Sequence, residues 1–253
     1  MIDTHAHLYS NDYKHDVEVV LQKAKLAGVA KIFLPAIDST THQQMLDLQF
    51  MYGNYCYAML GLHPCSVNAQ YKEELDIIKT LLQHNTVHGI GETGLDFYWD
   101  KTFVNQQYDA LHAQINLALD YHLPLILHTR NATKETIAVV TEYKGKGLTG
   151  IFHCFGGTTE EALQIIDTNF FLGIGGVITY KNAGLAEVLK DIPLAAMVLE
   201  TDAPYLSPVP FRGKRNESAY ISHVAEKLAL VKNTTLEEII TVTTANALSV
   251  FKL

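Results

Sequence analysis

A chain of 253 residues with 48% hydrophobic and 18% charged residues has an ordinary globular composition and enough apolar material for a sizeable core. No stretch approaches the roughly 18 apolar residues of a membrane span, and three scattered cysteines, Cys56, Cys65 and Cys154, exclude a disulfide framework and suit the reducing cytoplasm. The net charge of −8 argues against non-specific coating of nucleic acid, while leaving room for a nucleic acid held at one local site.

The N-terminus, Met1-Ile2-Asp3-Thr4-His5-Ala6-His7, reads as a strand rather than a signal peptide. Strand alternation puts Asp3, His5 and His7 on one face. Residues 12–27 read as a helix closed by Gly28. The apolar run 31–37 reads as a parallel strand buried on both faces, and Asp38 caps a helix to about Tyr52. A third strand, 56–62, ends at His63-Pro64, and a helix follows over 71–83. The fourth strand, 87–92, ends at Glu92 and runs into an aromatic loop, Thr93 to Trp99. A long helix covers 104–122. The fifth strand, 123–128, ends at His128 and precedes a helix from about Thr133; the sixth, 148–153, ends at His153. Thr158 or Thr159 caps the next helix. Strands at 170–175 and 196–202 come seventh and eighth, and the tail from Tyr220 is helical with a break near Asn233-Thr234.

Strand and helix alternate in the manner of a parallel α/β sheet. At this length the best fit is a closed (β/α)8 TIM-type barrel, one domain spanning 1–253, for which about 250 residues is usual. An open doubly wound sheet lacks its Gly-x-Gly-x-x-Gly signature.

In such barrels the active site lies at the C-terminal ends of the strands. There the sequence places His5, His7, Glu92, His128, His153 and Asp202, with His63 just outside. One histidine after a strand is ordinarily a hydrogen-bonded core residue; six ligand-type residues in the same structural position point to metal. Six exceed the three protein ligands of an open zinc site. The mixed imidazole and carboxylate set suits two divalent ions, zinc, manganese or magnesium, with Glu92 able to bridge them. Such a pair polarises a phosphoryl or acyl oxygen and activates water. Cys154, next to His153, faces the other way on a strand and reads as a small buried residue.

The segments Asp-Thr-His-Ala-His (3–7), Gly-Leu-His-Pro (61–64), Gly-Glu-Thr-Gly-Leu-Asp-Phe (91–97), His-Cys-Phe (153–155), Leu-Glu-Thr-Asp-Ala-Pro (199–204) and Arg-Gly-Lys-Arg-Asn-Glu (212–217) together resemble the TatD family of metal-dependent hydrolases. The resemblance implies an amidohydrolase-like metal barrel with DNase activity. It also implies one metal held by His5, His7, Glu92 and Asp202, and a second by Glu92, His128 and His153. Asn131, Gly156 and Ser218 depart from the usual family residues, Asp, Ser and Pro; none is a proposed ligand.

Around these six, Asp202 is the general-base candidate and Glu92 the bridge. His63 is placed to meet a substrate phosphate or leaving oxygen. Arg130, two residues past His128, is placed to grip a phosphate, and Glu200 to orient a ligand. Arg212, Lys214 and Arg215 form the dense basic cluster near a strand end, suited to a phosphate backbone. Phe97, Tyr98, Trp99, Tyr205 and Phe211 flank the mouth, where bases can stack. The expected function is a two-metal phosphodiesterase, an exonuclease on single-stranded DNA ends. Hydrolysis of a small amide or an ester such as aminoacyl-tRNA is the alternative, since barrel and metals do not choose between them. A metal-binding protein without turnover is the third reading.

Overall fold

The computed structural model describes all 253 residues. Eight parallel strands form the wall: β1 (Ile2–Asp3), β2 (Lys31–Pro35), β3 (Cys56–Met59), β4 (Ile90–Asp96), β5 (Leu125–Arg130), β6 (Gly150–Phe152), β7 (Phe170–Ile174) and β8 (Met197–Leu199). Regular ladders join β1 to β3 and β4 to β8 in chain order. Short bridges close the two seams. Leu60 pairs with Ile90, with Gly91 N donating to Leu60 O at 2.8 Å. Ala6 pairs with Ala203, with Asp202 N donating to His5 O and His7 N to Ala203 O at 2.9 and 2.7 Å.

The helices pack outside: α1 (Val17–Leu26), α2 (Ser39–Met51), α3 (Tyr71–His84), α4 (Val104–Asp120), α5 (Thr133–Thr141), α6 (Thr159–Asp167), α7 (Leu185–Leu189), α8 (Ile221–Lys232) and α9 (Leu236–Phe251). None is long and apolar enough to cross a membrane. Local chemistry sets their ends. Asp38 and Thr158 each close a capping box, with Thr41 and Glu161. Asn233, in the left-handed region, separates α8 from α9. One apolar cluster fills the space between strands and helices. A second, including Ile2, Phe33, Met59, Ile151 and Val198, also takes in Val250 and Phe251 from α9. The barrel's inner floor is thus covered by the last helix.

Three expectations need correction, and one crossover holds a helix in keeping with the alternation. β4 does not stop at Glu92. It continues to Asp96 through a register shift between Ile90 and Thr93, because Gly94 (φ 139°) lets the strand press against the His128 carbonyl, where any side chain would clash. A short helix, α7, occupies the β7–β8 crossover. The helix expected from residue 12 begins at Val17, after a separate 3-10 turn over Asn11–Tyr13. Asp3 also fails to join His5 and His7, because regular strand pairing ends at Asp3 and alternation lapses beyond it. Its carboxylate accepts from Thr201 N and Oγ1 at 2.9 and 2.7 Å instead.

Candidate metal centre

His5, His7, Glu92, His128, His153 and Asp202, drawn from five strand ends, meet at the C-terminal mouth. Glu92 sits at the centre, 3% exposed, and its two oxygens divide the cluster. Oε2 faces His5 Nε2 at 3.1 Å and His7 Nε2 at 3.5 Å. Oε1 faces His128 Nδ1 at 3.1 Å, His63 Nε2 at 3.4 Å and His153 Nε2 at 3.6 Å. Asp202, turned inward by a left-handed backbone (φ 59°), presents Oδ1 to His5 and His7 at 3.7 Å each and to His153 at 3.9 Å. The sets that converge closely are His5–His7–Glu92, His5–His153–Asp202, His63–Glu92–His128 and, behind His153, His153–Cys154–Glu200. His153 therefore stands nearer the His5 side than expected, and His63 stands beside Glu92 and His128.

Polar partners on the outer ring nitrogens decide which lone pairs face inward. Tyr9 Oη donates to Pro35 O at 2.5 Å, so it accepts from His7 Nδ1 at 2.9 Å and leaves His7 Nε2 as the free base. His128 Nε2 lies 2.9 Å from Asp96 Oδ2, which frees Nδ1. His153 Nδ1 lies 2.9 Å from Glu200 Oε1, which frees Nε2. His63 is set the other way. Its Nδ1 accepts Cys65 N at 3.0 Å, so in the neutral ring the proton is on Nε2, aimed at Glu92 Oε1. Three imidazoles thus offer an inward lone pair fixed by an outer acceptor, as metal-binding histidines do. His63 offers an inward N–H, which suits a substrate oxygen.

The electrostatics mark a centre that gathers positive charge. Burial alone would raise Glu92, but His5, His63 and His153 hold it well below the usual carboxylate range. Burial, reinforced by His153, lowers His5 to about 3, keeping it a neutral base. Burial opposes protonation of His153, yet Glu200, Asp202 and Glu92 raise it to about 10, and burial raises Asp202 to about 6. His5 and His7 place Nε2 atoms 3.2 Å apart beside one carboxylate, and the anionic surroundings favour protons on His153 and His128, where bound cations would take their place. Divalent cations fit that chemistry.

Two carboxylates support the ring nitrogens. Glu200, fully buried, also accepts Cys154 N at 2.7 Å. It fits because Gly173 has no Cβ to strike its carboxylate. Asp96 is a residue that the sequence reading missed, since it was assigned to a loop. Cys154 is corrected too: a left-handed backbone (φ 48°) takes it out of strand alternation, and it is partly exposed beside His153.

The outlying candidates separate by their partners. Arg130 is exposed, with no carboxylate within 4.0 Å, and its guanidinium lies 4.2 Å from the Tyr98 ring centroid. It edges a cleft of about 800 Å³ that Cys154, Gly157, Thr158 and Leu185 help to line. Arg212 is likewise exposed and unpaired, over Tyr180 at 4.4 Å, and Lys214 has no ion-pair partner. Arg215 is committed elsewhere: it grips Asp16 through two bonds of 2.9 and 2.6 Å and reaches Glu217 at 3.3 Å. The basic cluster therefore offers two free charges, not three. Among the aromatics, Phe211 stacks on Tyr220 at 4.0 Å and Phe97 packs on the core, while Tyr98, Trp99 and Tyr205 are 50%, 68% and 54% exposed.

Comparison with known proteins follows the same line. The family model described as TatD related DNase matches residues 2–252. The uncharacterised metal-dependent hydrolase YabD of Bacillus subtilis is 40% identical over 254 residues, covering 100% of this chain and 99% of its own. The 3'-5' ssDNA/RNA exonuclease TatD of Erwinia tasmaniensis is 31% identical over 259 residues, with both chains covered completely. The crystal structure of the TatD homologue YJJV of Escherichia coli K12 superposes with a TM-score of 0.92 at 30% identity, covering 100% of this chain and 98% of that one.

Proposed function

The chain belongs to the TatD-related DNase family, and from that premise we propose that this metal-dependent hydrolase cleaves phosphodiesters at the ends of single-stranded DNA, using two divalent cations. The observation that carries the reading is Glu92, whose two oxygens face two separate sets of ring nitrogens. His5, His7 and Asp202 would hold one cation, His128 and His153 the other, with Glu92 shared. When bound, the ions supply Lewis acidity and an activated water. Asp202, one oxygen of which faces three imidazoles, is the base that takes the proton from the attacking water. His63 Nε2–H donates to a phosphate oxygen or the departing oxygen. Unpaired Arg130, Arg212 and Lys214 meet phosphates on either side.

The phosphodiester is favoured over an amide or aminoacyl ester by these free cations at the rim. Restriction to strand ends is favoured by the acidic net charge, which gives long duplex no broad basic surface. The three free cysteines suit a reducing compartment such as the cytoplasm.

End-labelled single-stranded DNA incubated with magnesium, manganese or zinc should shorten stepwise. Glu92→Ala should lower the rate by at least about a thousandfold, since it removes the shared ligand, and should abolish the rise in melting temperature that the metal gives the native chain. A nicked circular plasmid appearing before shortened ends would sink the exonuclease assignment. Hydrolysis of aminoacyl esters but not DNA would transfer it to carbonyl substrates.

A further inference from the structure

Asp96 closes β4 and divides its carboxylate between the metal centre and the rim. Oδ2 lies 2.9 Å from His128 Nε2. Oδ1 accepts the backbone N–H groups of Tyr98 and Trp99 at 2.9 and 3.0 Å. Gln107 of α4 holds Asp96 in place, accepting its N–H at 2.9 Å and donating to its carbonyl at 3.2 Å. Asp96 is 1% exposed. The turn that carries the two rings therefore cannot shift without moving the acceptor of His128.

This anchored turn displays its rings to solvent. Tyr98 and Trp99 meet edge to face with centroids 4.9 Å apart. Arg130, paired with Asp96 across the β4–β5 ladder, covers Tyr98 and lies 5.7 Å from Trp99. With Tyr98 engaged by the guanidinium, Trp99 is the ring left to receive a flat partner. A scattered exposed aromatic needs no explanation. Two adjacent rings and an unpaired guanidinium, held by a buried carboxylate that also fixes a metal-centre imidazole, form a built surface with the chemistry that stacks bases and grips phosphate.

We propose, resting on the phosphodiester reading above, that Tyr98, Trp99 and Arg130 form a nucleobase platform whose distance from the scissile phosphate is set by Asp96. The terminal base stacks on Trp99, Arg130 holds an adjoining phosphate, and Asp96 is a positioning residue for both the platform and His128.

Trp99 is the only tryptophan in the chain, so its emission reports on the platform directly. The full-length protein in EDTA, where no turnover occurs, is titrated with an oligothymidylate and with an abasic strand of equal length. Saturable quenching by the thymidylate is expected, with binding of the abasic strand weaker by roughly tenfold, the scale of one stacked base. With metal present, Trp99→Leu should lower kcat/KM on the thymidylate about tenfold, mainly through KM, and erase the preference over the abasic strand. Asp96→Ala should weaken the quenching and also lower kcat on both strands, because His128 loses its acceptor. Equal binding and equal turnover of the two strands by the native protein would overturn the platform and leave the phosphodiesterase reading standing. Failure to cleave either strand with any metal would overturn that reading. The quenching titration would then decide the platform alone: a base-dependent signal supports it, and none refutes it.

Discussion

The imidazoles of the centre derive their roles from the partner on the far side of each ring. His7 has Tyr9, His128 has Asp96 and His153 has Glu200, and each partner leaves one nitrogen facing Glu92 or Asp202. His63, with its outer nitrogen already accepting from Cys65 N, turns a proton toward the same place. Residue type and spacing identify donors; only the outer partner distinguishes a base from a proton donor. Glu200→Gln tests this at His153. The amide oxygen can take the place of Oε1, which now faces both His153 Nδ1 and Cys154 N, but the negative charge beside the ring is lost. Metal affinity, read by calorimetric titration with manganese or zinc, should fall about 10–100-fold, as when the outer partner of a ligating histidine is lost.

Elements do their work here by where they end. β4 extends past Glu92 to Asp96 and carries the rim turn with it. α9 ends with Phe251 stacked on Phe33, centroids 3.5 Å apart. Phe251 is 5% exposed, against a floor that includes Ile2, Met59 and Val198. That contact settles a point that the apolar positions of α9 leave open, since they would serve equally against a second chain. Phe251→Ala should cost about 3–5 kcal/mol, the range for emptying a buried phenylalanine site. Chemical denaturation measures it. Because the centre opens at the opposite end of the barrel, kcat of the folded variant should stay within about twofold of the native value.

Across the whole molecule, buried and half-buried histidines outside the centre set part of the response to acid. Burial lowers His42, which keeps one bond to the Gly61 carbonyl, and burial also lowers His88, aided by Lys31. Unfolded histidine binds a proton near pH 6.5, whereas these two in the folded chain do so only at lower pH. The unfolded chain therefore holds more protons below about pH 6.5. The stability these groups contribute is present above that value and is lost as pH falls toward their folded values. Denaturation at pH 7 and pH 5 should show a smaller drop for His42→Gln than for the native chain, by at most about 1.4 kcal/mol for each pH unit. An equal drop would show that His42 protonates as easily folded as unfolded.

The sequence alone determined the eight-fold alternation of strand and helix, and the convergence of His5, His7, Glu92, His128, His153 and Asp202. Both follow from local rules: an apolar parallel strand is short and bounded, and its C-terminal end always opens on the same mouth. Tertiary structure alone decided what depends on contacts distant in the chain. It separated Arg130 and Arg212, stacked on rings and free of carboxylates, from Arg215, which Asp16 captures from about 200 residues away. It turned Asp3 away from the imidazoles and brought Cys154 beside them, because strand alternation holds only along the regular ladder, and β1 and β6 end at Asp3 and Phe152. It also raised Asp96 from a loop residue to the link between His128 and the rim, since that role exists only after β4 and β5 have paired.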